Sequence, residues 1–153
     1  MPNIHSHNRR DLAPTELAPA EIAATYLDER DDALLDALVT ASTLVASADG
    51  RISSAERRRA IDFLASNGFL SVSTRAEILE AFDRRVREFQ EDGSGKPAVD
   101  SLRRFAGLAP ARLIVKAGEE VAAADGHLSA HELHVLRLIR AALAAPDLRS
   151  AGG

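Results

Sequence analysis

Two aspartates stand in two copies of one pattern. Residues 41–56 read ASTLVASADGRISSAE and residues 117–132 read AGEEVAAADGHLSAHE, with eight of sixteen positions identical at an offset of 76. The shared core is A-D-G-x-[IL]-S-x-x-E, which places Asp49 and Glu56 in the first copy and Asp125 and Glu132 in the second. An acid before a glycine, an aliphatic two residues later and a closing Glu is also the grammar of the second half of a calcium-binding EF-hand loop. Setting Gly50 at the glycine position, however, puts Val45 and Ser47 where the first ligands belong, and Val121 and Ala123 fall there in the second copy. A standard EF-hand is excluded. Either loop alone holds too few ligands, so a cation site requires both copies to converge.

The elements that position these acids follow from the same residues. An alanine-rich apolar run that stops at Gly50 or Gly126 reads as a helix closed by a glycine with positive φ. Three residues on, Ser53 or Ser129 is a natural N-cap, and Glu56 or Glu132 completes the S-x-x-E capping box of a new helix. Ile52 and Leu128 occupy the position of a hydrophobic staple, whose partner is Leu133 in the second copy but Arg57 in the first, so the staple is expected only in the second. Each aspartate thus sits at the negative end of a helix dipole, unfavourable by about 0.3–1 kcal/mol when exposed. An acid so placed twice invites a positive partner.

With two such segments, each bridging two helices in an alanine-rich chain of this length, the sequence resembles the TerB family of tellurite-resistance proteins over roughly residues 20–143, most specifically in the two motifs. The resemblance implies a compact all-helical domain and a metal-binding site built from the paired acidic motifs, within a membrane-associated bacterial stress-response system. By motif position, the implied ligands are Asp49, Glu56, Asp125 and Glu132. A divalent cation is then expected, Ca²⁺- or Mg²⁺-like, with Zn²⁺ and Mn²⁺ as further candidates.

Composition bounds the remaining classes. A chain of 153 residues can bury one core. Its net charge of −4 and 4% aromatic content argue against a nucleic-acid binder. The absence of cysteine removes disulfides, thiolate sites and cysteine nucleophiles, and fits a cytoplasmic protein. No run of apolar residues is long enough to span a bilayer, and the N-terminus has an Arg pair without the apolar stretch of a secretory signal. Residues 1–17, with His5 and His7, are expected to form a disordered tail, residues 18–145 the domain and residues 146–153 a second tail.

Along the chain, Pro19 and Glu21 suit a first helix reaching about Leu27. Leu34, Leu38, Ala41 and Val45 form one stripe of a mainly buried helix ending near Ala48. After the first motif, Ala60, Ile61, Phe63 and Leu64 line a helix that Gly68 can close, and Arg57–Arg59 are expected to form a solvated face or to pair with Asp49 or Glu56. A helix from Ser73 or Thr74 to about Gln90 has Ile78, Phe82, Val86 and Phe89 inside, and Glu80/Arg84, Asp83/Arg87 and Arg84/Glu88 outside as i,i+4 pairs. The stretch 91–96, EDGSGK, has no phosphate-loop spacing and reads as a hinge. Pro97 opens a short helix with Val99, Leu102 and Phe105. Pro110 opens the helix of Leu113, Ile114, Ala117 and Val121, on which Glu119 and Glu120 read as surface acids. The last helix buries Leu133, Leu136, Ile139 and Leu143, while His131 and His134 share a face with arginines rather than carboxylates and so read as solvated.

No strand pattern occurs. The expected fold is all-α, a compact bundle of six or seven helices built from two helix–turn–helix units related by an approximate twofold. No nucleophile–base arrangement or inward Glu-x-x-His pair supports an enzyme. The expected function is a non-enzymatic stress-response module that works with other proteins, cytoplasmic or peripheral at the inner membrane. The alternative is a helical protein-interaction module whose motifs serve only as turns and caps.

Overall fold

The computed structural model describes residues 32–69, 73–93 and 95–144. The expected helix around Pro19 to Leu27 and both expected tails lie outside these residues. Six α-helices are described: α1 (Asp32–Ala46), α2 (Ser54–Ser66), α3 (Arg75–Asp92), α4 (Lys96–Ser101), α5 (Ala111–Ala122) and α6 (Ala130–Leu143), with a 3₁₀ turn Leu102–Phe105 after α4. No strand occurs among the described residues, and the all-α bundle is as expected.

Helix α1 is the axis. Every residue from Ala37 to Ala46 is buried, so α1 is enclosed on all sides instead of carrying one apolar stripe. Helices α3, α5 and α6 pack along it, with α2 and α4 completing the shell. Thr43 is fully buried and directs its hydroxyl back to the carbonyl oxygens of Val39 and Thr40, both at 2.9 Å. Where α5 packs against α1 and α6 the sequence supplies Gly118, and a Cβ there would stand 3.2 Å from both Val45 Cγ2 and Leu136 Cδ2.

Several boundaries and faces differ from expectation. Helix α1 ends at Ala46, and residues 47–49 form a turn that lifts Asp49 out of the helix. Helix α3 runs on to Asp92 and closes on left-handed Gly93, so Glu91 and Asp92 are helical and the expected hinge shrinks. Leu133 and Val99 are only half-buried, as are Val86 and Phe89 at the end of the α3 stripe. The staple is reversed: Ile52 packs against the core, whereas Leu128 is 48% exposed. Several arginines take long-range partners, beside local pairs such as Arg103 with Asp100. Arg85 forks onto both oxygens of Asp36 at 2.8 Å and reaches Glu88, which ties α3 to the start of α1. Arg57 pairs with Asp83 and Arg59 with Glu120, instead of with Asp49 or Glu56.

Candidate functional site

The two motifs fold alike, bond for bond. In the first turn Ser47 N–H donates to Thr43 O, Ala48 N–H to Val45 O and Gly50 N–H to Ser47 O; in the second, Ala123, Ala124 and Gly126 donate to Glu119, Val121 and Ala123. Each of these bonds recurs 76 residues later. Gly50 and Gly126 have φ of 78° and 67°, a region in which a side chain is strained. Both capping boxes are complete. Ser53 and Ser129 accept the amides of Glu56 and Glu132, whose carboxylates accept the serine amides in return.

The positive partner of Asp49 is the start of the other motif's helix. The Ser129 hydroxyl donates to Asp49 Oδ1 at 3.0 Å, and His131 Nδ1 lies 3.3 Å from the same oxygen. Asp49 leaves the negative end of α1 and is held at the positive end of α6, a gain of about 0.3–1 kcal/mol for an exposed carboxylate. His131 is largely exposed, as expected, and its approach to Asp49 is a contact that the sequence did not indicate. Histidine in the first turn of α6 was visible in the sequence; its partner 82 residues away was not. His127 and His134 are exposed, as expected.

The glutamates occupy a different environment. Glu56 and Glu132 are each only 5% exposed, unusual for carboxylates. Burial pushes the Glu56 carboxyl above its ordinary value, the Ser53 amide and hydroxyl pull it back, and the charges of Glu132 and Asp125 raise it further. Glu56, Glu132 and Asp125 therefore share one electrostatic neighbourhood, while Asp49 is engaged by Ser129 and His131. Each glutamate uses Oε1 for its cap. The ion pairs of the described residues fall elsewhere: Glu119 pairs with Arg140, and Glu120 with Arg59 and Lys116, the surface roles expected of them. Among the described residues, no three or more His, Asp or Glu side chains are gathered closely enough to hold a metal ion.

An all-helical bundle with paired Asp-Gly turns and complete capping boxes, whose two capping glutamates are buried, defines a class of small helical modules. Residues 35–151 match the family described as tellurite resistance protein TerB, about three quarters of the sequence. The chain belongs to the TerB family. No curated protein and no solved structure matches it. No helix of the described residues is long and apolar enough to cross a membrane.

Proposed function

We propose that this protein is a non-enzymatic stress-response module of the TerB type, active in tellurite, metal or oxyanion stress, which works with protein partners in the bacterial cytoplasm or at the inner membrane surface and takes up a divalent cation between its two motifs. The observation that carries the cation reading is the pair of buried glutamates, Glu56 and Glu132, with Asp125 close enough to act on the first. Neither glutamate forms an ion pair among the described residues, and buried like charges left without a cation favour either protonation or a counter-ion. The donor set suits a hard cation in kind, being all oxygen. It does not yet suit one in spacing, so binding requires the carboxylates to draw together. On this reading, Asp49, Glu56, Asp125 and Glu132 would supply the oxygens, and the ion would neutralise them.

A second reading, turn and cap chemistry without an ion, is supported by the completeness of the capping boxes. An approximate twofold between the halves is part of the proposal, supported by the hydrogen bonds repeated at the 76-residue offset. Calorimetric titration of the metal-free protein with Ca²⁺, Mg²⁺, Mn²⁺ and Zn²⁺, beside a folded Asp49→Asn/Asp125→Asn variant, separates the two readings. Saturable binding that the variant loses is the expected result; no binding, or binding unchanged in the variant, leaves turns and caps as the motifs' whole role.

A further inference from the structure

Among the described residues, the same stretch of surface is covered in the first half of the chain and open in the second. On α1, Asp36, Val39, Thr40 and Thr43, followed by Ser47 in the turn, run along one face. Helix α3 packs on α1, and Arg85 reaches Asp36 near the start of α1. Beyond the end of α1, Val86, Phe89 and Gly93 line a hollow of about 380 Å³ with Ser47, Gly50 and Ile52. Adding the repeat offset of 76 gives Arg112, Val115, Lys116, Glu119 and Ala123. These residues line two hollows on the α5–α6 face, one of about 560 Å³ containing Arg112, Val115, Lys116 and Glu119, the other of about 400 Å³ containing Ala123, Gly126, Leu128 and Leu136. The Glu119–Arg140 ion pair borders both. Where Ile52 is packed, its counterpart Leu128 is 48% exposed.

The charge on this face is reversed along with its cover. The residue that corresponds to Asp36 is Arg112, and Lys116 stands one turn further on where α1 has Thr40. Both cations are exposed. A helix lying here as α3 lies on α1 would need an acid in the place of Arg85 and an aliphatic-x-x-aromatic pair in the places of Val86 and Phe89, facing Leu128 and Leu136. Apolar anchors at helical spacing with a complementary rim charge are how an amphipathic helix is recognised in a groove.

We propose that the α5–α6 face is the docking site for an acidic amphipathic helix of a partner protein, seated as α3 is seated on α1. The inference does not depend on cation binding by the motifs. Its test uses the full chain and two synthetic peptides, the α3 sequence 75–92 and the same peptide with Arg85→Glu. Saturable binding of the acidic peptide, tighter than that of the parent and weakened about tenfold or more by Arg112→Glu/Lys116→Glu in the protein, is the expected result. The absence of saturable binding, or binding that ignores the charge reversal, overturns it. Because the chain has no cysteine, Val115→Cys carrying a photo-crosslinker reports the occupant directly. A crosslink to the acidic peptide supports the proposal; one confined to residues 1–31 of the same chain, or to a second copy, assigns the face to that occupant and overturns it.

Discussion

The Ser129 hydroxyl accepts the amide of Glu132 at 3.0 Å and donates to Oδ1 of Asp49 at 3.0 Å. One oxygen thereby caps a helix within its own motif and binds the acid of the other motif. Ser53 makes the equivalent cap, and among the described residues its hydroxyl has no such second bond. Replacing Ser53 with Ala is expected to cost roughly 1 kcal/mol, the usual loss of a cap. Replacing Ser129 should cost about 0.5 kcal/mol more, because the bond to exposed Asp49 goes as well. Urea unfolding of both variants, with Ser129→Ala/Asp49→Ala closing a double-mutant cycle, tests this; equal losses would remove the link between the motifs.

Glu56 sets a pH dependence of definite sign. Its carboxyl is raised above 4.5 chiefly by burial, so over the window between the unfolded and folded values the folded state binds more protons. Stability from this group is present at and below the unfolded value and is lost as pH rises through the folded one. Gln can still serve the capping box without charge. Glu56→Gln is therefore expected to melt higher than the parent at pH 7, the gain shrinking toward pH 4.5. A melting-temperature difference that grows on acidification would contradict this. Glu77, lowered by the amide and hydroxyl of Thr74, acts in the opposite direction in both proteins and cancels from the comparison.

Gly118→Ala tests how tightly α5 packs against α1 and α6. The new methyl gains up to about 1 kcal/mol of helix propensity but meets Val45 and Leu136 at 3.2 Å. Both neighbours are buried and Val45 is β-branched, so overpacking at about 1–3 kcal/mol outweighs the gain. A net loss near 1 kcal/mol is expected, partly recovered by Val45→Ala in the same chain. A stabilised single variant would show the contact to be slack.

Arg85 anchors α3. Burial alone would lower its pKa, but the hydrogen bonds and charges of Asp36 and Glu88 prevail and raise it. Arg85→Ala is expected to cost about 1–2 kcal/mol, more than an exposed ion pair because the fork is half-buried. Arg84→Ala, one residue away on the exposed side, should change little. Denaturation of the pair decides; equal effects would make Arg85 an ordinary surface charge.

What the sequence made legible lies within a few residues of itself. The glycine turns, the serine caps and the glutamates that return to them are interactions over three or four positions, and each formed where residue types required it. The partners of Asp49, Arg57, Arg59 and Arg85 stand 26 to 82 residues away, where no spacing rule reaches. The reversed staple has the same origin. Local pattern favoured Leu128 with Leu133, but Ile52 is the one that the bundle covers, because α3 passes over the first turn. Likewise the burial of Glu56 and Glu132 depends on how the halves pack, which their capping pattern alone does not encode.

The Ser129–Asp49 bond joins residues 80 positions apart, which gives it a place in time as well as in space. A loop of that length closes only against substantial chain entropy, so such contacts follow local ones during folding. Both capping boxes can form while the chain is still open; the bond between the motifs cannot. It is expected to act as a latch that shuts once α1 is enclosed, making the meeting of the two turns a marker that assembly is complete.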